Sequence, residues 1–161
     1  MAKKGFTLIE LLIVISIIAI LASVVFVALD PLKRFQDARD SSRWADISAV
    51  VSAIKVYQVD NSGNYPSAIT SMTSGTVYMI GTGTTGCDDN ACDVTIGGDT
   101  NCVDLADLVT GGYLGEVPVS PNGVSTWSDD TTGYVLTRYA TGIVKVQACE
   151  SENSESISIS K

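Results

Sequence analysis

The chain has 161 residues, a formal net charge of -8 and no histidine. Imidazole catalysis and histidine-ligated metals are therefore excluded, and the length suits one modest domain plus a further segment. The charge is uneven: seven Lys/Arg accompany six Asp/Glu up to residue 60, and three accompany twelve beyond it. An acidic distal part does not grip a phosphate backbone, so no direct nucleic-acid binding is expected.

The first element is the apolar run Phe6–Leu29, rich in Ile, Leu and Val and free of Gly and Pro. As a helix at ~1.5 Å per residue it reaches about 36 Å, enough to cross a bilayer. Lys3 and Lys4 precede it, as in a cleavable secretory signal. Such a signal has a shorter, uncharged core, whereas this run carries Glu10. A carboxylate near the interface can lean toward headgroups; deeper in lipid it costs at least ~2.5–3.5 kcal/mol and needs a partner. No Lys or Arg inside the run supplies one. Cleavage after Gly5 would, because it frees an α-ammonium on Phe6 one helical turn from Glu10.

The stretch "KKGFTLIELLIVISIIAILAS" resembles the class III signal of type IV pilins and of the pseudopilins of type II secretion. The specific part is short, Lys3 through Leu12, but its order is demanding: basic pair, Gly, Phe, Thr, then Glu four residues after Phe. The resemblance implies cleavage between Gly5 and Phe6 by a prepilin peptidase, N-methylation of Phe6, and a Glu10 that meets the Phe6 amine of an adjacent subunit during assembly. Many family members carry Gly and Pro where this chain has Ala19 and Val27, so the usual helix breakers are missing. Orientation also follows from the resemblance. Lys33, Arg34, Arg39 and Arg43 follow the span, and counting basic residues does not place the N-terminus inside.

Residues 30–60 read as a continuing helix with a bend at Asp30-Pro31, where Asp can cap and Pro suits a first turn. Ile47, Val50, Val51, Ile54 and Tyr57 recur at helical spacing and form one apolar stripe. Lys33/Asp37, Asp40/Arg43 and Arg43/Asp46 stand at i,i+3 or i,i+4, the pattern of a solvated charged face. Contacts of Arg39, Arg43 and Asp46 between packed subunits are the alternative. "NSGNYP" stops the helix.

From Ser67 the composition turns to Gly, Thr, Ser and Asp. "TVYMI" reads as a strand, "VDLADLVTGGYL" as a short helix stopped by Gly111 or Gly112, and "GYVLTRY" and "IVKVQAC" as a hairpin around "ATG". The final "ESENSESISISK" reads as loose, with Ile157 and Ile159 alternating as in an edge strand. The helix stripe and one face of the hairpin must each be covered, and packing sheet on helix covers both. The fold class expected is α+β and pilin-like: a long N-terminal helix, half transmembrane, against a small antiparallel sheet. The expected organisation is a leader at 1–5, a membrane and filament-core helix at 6–29, an amphipathic helix at 30–60, a disulfide-bonded head at 61–150 and a polar tail at 151–161.

Four cysteines, Cys87, Cys92, Cys102 and Cys149, favour two disulfides and an oxidising compartment. "CDDNAC" can close locally, which leads to the expectation of Cys87–Cys92 and Cys102–Cys149. A zinc site of four thiolates lacks paired CxxC spacing. Acids cluster in "CDDNACDVTIGGDTNCVD" and at Asp129 and Asp130, without the spacing of a calcium-binding helical hand. Turn-forming acids are the favoured reading, with calcium, which some pseudopilins bind in a late loop, the one candidate cofactor. Trp44, Tyr57 and Trp127 are expected to pack. No nucleophile elbow, P-loop or dinucleotide fingerprint is present, so an enzyme is not expected.

The resemblance thus implies a filament subunit. It is held in the inner membrane before assembly and lies outside the cytoplasm after it. Its partners would be copies of itself, related pilins, a prepilin peptidase and a membrane assembly platform. A membrane-tethered binding or calcium-binding domain that never polymerises is the alternative, and a secreted enzyme with a long signal is a third reading.

Overall fold

A computed structural model describes residues 5–123 and 125–161. The chain divides into two compact units, Met1–Phe35 and Gln36–Lys161. In the first, helix α1 (Leu8–Leu29) runs for 22 residues without a buried side chain. That is about 33 Å of helix, apolar on every side and without the breaks that Gly or Pro would introduce. It is long and apolar enough to cross a membrane. Asp30 ends it in the left-handed region at φ 37° and ψ 72°. The Asp30 carboxylate and carbonyl then accept from Lys33 N and Arg34 N at 3.4 and 3.3 Å. Helix α2 (Pro31–Asp60) therefore starts on Pro, as expected at a first turn.

Helix α2 stops where "NSGN" reverses the chain. Ser62 and Gly63 have positive φ, and Gly63 N reaches back to Gln58 O at 2.7 Å, the six-to-one bond of a Schellman ending. Next come α3 (Ser67–Thr70), β1 (Val77–Ile80), β2 (Cys102–Val103), α4 (Ala106–Thr110), β3 (Tyr134–Arg138), β4 (Val144–Ala148) and β5 (Ser158–Ser160). They build one sheet in the order β2-β1-β3-β4-β5. The predicted hairpin is β3–β4, with Leu136 opposite Val146. The sheet is mostly antiparallel. The exception is β1–β2, which pair in parallel with Met79 opposite Cys102, because residues 81–101 cross over between them as a parallel pair requires.

The apolar stripe behaves as its spacing predicts. Ile47, Val50, Val51 and Ile54 of α2 are buried against Ile80, Tyr134, Leu136, Val144, Val146 and Ile157, and Tyr57 meets Tyr113 edge-on at 5.2 Å. Alternation along the strands sends the other side chains to the opposite face. There Met79 and Val135 join Trp127, Ile96, Cys87 and Cys149 in a second cluster. Each face of the sheet thus has its own cover, a helix on one side and the crossover loop on the other. Trp44 departs from expectation: it is 41% exposed on α2, since it projects away from the stripe that meets the sheet.

Candidate functional site

Ahead of α1, residues 5–7 are exposed and non-helical. A Cβ built on Gly5 would meet nothing within 4 Å, and Phe6 is 84% exposed. The Gly5–Phe6 bond therefore lies in exposed, non-helical chain, as a peptidase substrate must. Lys3 and Lys4 lie outside the described residues.

Thr7 is the N-cap, at φ -82° and ψ 150°. Its side chain accepts from Glu10 N at 3.3 Å. The Glu10 carboxylate returns to the same residue, Oε2 accepting from Thr7 N at 2.8 Å and from Thr7 Oγ1 at 2.6 Å. This is a complete capping box. A negative charge in the first turn also suits the positive end of the helix dipole. Sequence reasoning sought the partner of Glu10 in a new ammonium and missed Thr7, although the T-x-x-E spacing that signals a capping box was present in "TLIE". The box engages Oε2 alone, and Oε1 accepts nothing among the described residues.

In the second unit the structure corrects two expectations. The cysteines are all paired, but as Cys87–Cys102 and Cys92–Cys149. The parallel β1–β2 pairing decides this. The crossover loop folds back so that Cys87 N meets Asp99 O at 2.9 Å, close in sequence to Cys102, while Asp93 N meets Cys149 O at 2.9 Å. The short "CDDNAC" loop is held by Asp89 instead, whose carboxylate caps Ala91 N at 2.9 Å. With every thiol oxidised, no thiolate is left for zinc. Two further acids tie loops together: Asp99 accepts from Gly86 N and Asp130 from the Thr82 hydroxyl. Among the described residues no group of three His, Cys, Asp or Glu is placed to hold a metal ion.

The second correction concerns the charged face of α2. Arg43 is fully buried and Asp40 nearly so. The five Arg43 N–H groups all find acceptors: Ser120 Oγ at 3.1 Å, Asp40 Oδ1 at 2.8 Å, Glu152 Oε1 at 3.0 Å, Pro121 O at 3.0 Å and Glu150 Oε2 at 3.1 Å. Arg39 grips both oxygens of Glu152. Asp46 does not pair with Arg43 but accepts from Tyr134 Oη at 2.5 Å. Burial, and then this contact with Asp46, push the Tyr134 phenol well above its ordinary pKa. Apart from Asp40, the partners lie 77 to 113 residues along the chain, the acidic ones Glu150 and Glu152 near its end, where i,i+4 arithmetic cannot find them. That tail is correspondingly ordered, and Ile157 is buried.

Residues 1–26 match the family described as the prokaryotic N-terminal methylation motif. No curated protein and no solved structure matches the chain. The N-terminal segment is thus the class III signal of type IV pilins and pseudopilins, and it implies processing by a prepilin peptidase. The signal and the unburied apolar helix that it includes suggest membrane anchoring followed by assembly outside the cytoplasm. The fold, a long apolar N-terminal helix and a mostly antiparallel five-stranded sheet, is α+β and pilin-like.

Proposed function

We propose that the chain is the structural subunit of a type IV pilus or of a pilus-like secretion filament, cleaved between Gly5 and Phe6 and methylated on Phe6. The observation that carries this is the methylation motif at residues 1–26, most of which is a helix with no buried side chain. In a soluble protein such a surface would be an aggregation hazard. In a filament subunit one surface serves twice, against lipid during storage and against neighbouring copies after assembly. Processing permits the change, since it creates the Phe6 ammonium.

Glu10 then has two partners in succession. Before assembly Thr7 holds Oε2, and Oε1 remains open toward lipid or a neighbour. On assembly the Phe6 ammonium of an adjacent copy approaches that open oxygen, and a charge pair in an apolar core sets the axial register because it tolerates little offset. The partners required are copies of the chain or related pilins, the peptidase and a membrane platform that lifts subunits out of the bilayer. The test is electron microscopy of sheared surface filaments with mass spectrometry of their N-terminus. Filaments built of a chain beginning at methylated Phe6 are expected. Membrane-held chain with the Gly5–Phe6 bond intact and no filament would favour a tethered domain instead.

A further inference from the structure

The head grips the early part of α2 in an unusual way. Between Asp37 and Ile47 the buried residues of the helix are Asp40 and Arg43, both charged, and apolar burial begins only at Ile47. Asp40 and one side of Arg43 are covered by residues 150–154, which leave β4 and cross the helix before β5, while Ser120 and Pro121 also accept from Arg43. Residues 151–156 contain no apolar side chain, and this crossing is anchored at its two ends by the buried Cys149 and Ile157. Its hold is polar throughout. The Asp40 carboxylate accepts from the backbone N–H groups of Glu152, Asn153 and Ser154 at 2.9 to 3.2 Å. Asp37 accepts from the Asn153 amide at 2.8 Å. Arg39 and Arg43 take Glu152, and Arg43 takes Glu150, whose other oxygen accepts from Ser125 N at 2.8 Å. The fit is close: a Cβ on Gly123 would come within 2.6 Å of Glu150 Oε2 and 3.0 Å of Arg43 Nη2.

We propose that residues 150–154 form a charge-operated clasp that decides whether the head holds α2 from Asp37 or only from Ile47. With the clasp open, residues 36–46, about three helical turns or ~16 Å, lose the cover that 150–154 give and keep only the contacts of Arg43 with Ser120 and Pro121 and of Asp46 with Tyr134, while the apolar core beyond them stays intact. The charged groups facing the clasp are Asp37, Arg39, Asp40 and Arg43 from the helix and Glu150 and Glu152 from the crossing segment, with Asp46 and Tyr134 engaged with each other beside them. Glu155 faces solvent. Four carboxylates against two guanidiniums leave the closed state dependent on the backbone N–H donors, and acid is the natural opener.

Arg39 holds the Glu152 carboxyl below its ordinary range against the opposing effect of burial. Burial likewise pushes the Asp40 carboxyl up, but the N–H groups of Asn153 and Glu152 and the Arg43 guanidinium outweigh it and hold the group low. Stabilisation from both is therefore full above the ordinary carboxylate pKa of about 4 and is lost as pH falls through the closed-state values. The clasp belongs to the head and operates whether or not the chain polymerises.

Hydrogen exchange on the full chain in detergent, equilibrated between pH ~7 and pH ~3 and corrected for intrinsic exchange, tests this. The amides of residues 152–154 and 37–46 should lose protection on acidification while those of 47–57 keep theirs. Arg39→Gln should lower protection of 152–154 about tenfold at neutral pH and raise the pH of opening, and Glu152→Gln should act in the same direction. Retained protection over 47–57 shows that each variant is folded. Loss of protection over 37–46 and 47–57 at one common pH, or unchanged protection of 152–154 in both variants, overturns the proposal.

Discussion

Glu10→Gln separates two roles of one carboxylate. Gln keeps the side-chain length and an amide oxygen, so the donors on Thr7, at 2.8 and 2.6 Å from Oε2, still find an acceptor, and Gln serves in a capping box as Glu does. What is lost is the charge. If the carboxylate answers a buried ammonium across subunits, removing it costs ~3–5 kcal/mol, or about two to four powers of ten in the equilibrium for adding each subunit. Thr7→Val does the reverse: it removes the cap, worth ~1 kcal/mol, and leaves the charge in place. Expressed without wild-type chain, Glu10→Gln should give processed, membrane-held subunit and very few filaments. Thr7→Val should give filaments at no worse than about a fivefold reduced yield, the equivalent of that ~1 kcal/mol. Immunoblots of membrane and sheared fractions, with the N-terminus read by mass spectrometry, measure both. Abundant filaments from Glu10→Gln together with none from Thr7→Val would refute the charge-pair reasoning and leave Glu10 as a helix cap.

Peptide mapping without reduction should find Cys87 joined to Cys102 and Cys92 to Cys149, closing loops of 15 and 57 residues; in the loop-entropy account these are worth about 3 and 4 kcal/mol, so reduction should lower the thermal midpoint markedly. Gly133 sits at φ +76° with its missing Cβ 2.6 Å from Trp127, and Gly133→Val should cost more than ~2 kcal/mol, read from urea unfolding by tryptophan fluorescence. Arg43→Met removes a fully buried cation from three carboxylates and should cost ~3–5 kcal/mol in the same assay; a loss under ~1 kcal/mol would show that the carboxylates find other partners. Leu136→Ala, at a fully buried strand position, should cost ~2–5 kcal/mol without altering cleavage at Gly5.

What the sequence discloses here follows the range of the interaction. The stripe from Ile47 to Tyr57, the Ser62-Gly63 stop and the β3–β4 hairpin depend on neighbours within one or two turns, and each is where its spacing puts it. Strand β2 has two residues and no pattern of its own; its parallel pairing with β1 is what sets the disulfide partners, so local loop size misleads. Arg43 looks like any surface cation beside Asp40 and Asp46. Its burial depends on Glu150 and Glu152, 107 and 109 residues away. At the N-terminus the order from Gly5 to Glu10 discloses the processing signal, and within it the T-x-x-E spacing of Thr7 and Glu10 carries the capping box as well.

The sheet ends on strands of two and three residues, β2 and β5. An edge this short exposes too few backbone donors and acceptors to template a strand from another molecule. A subunit of the proposed kind, stored among its own copies in a membrane, would be at particular risk of the wrong kind of polymer, since any open ladder could propagate as cross-β stacking. Here the β-rich part offers almost no template. In the proposed filament, self-association would fall to the helix. Such storage would then be compatible with a sheet-containing head whose edges give irreversible aggregation little to build on.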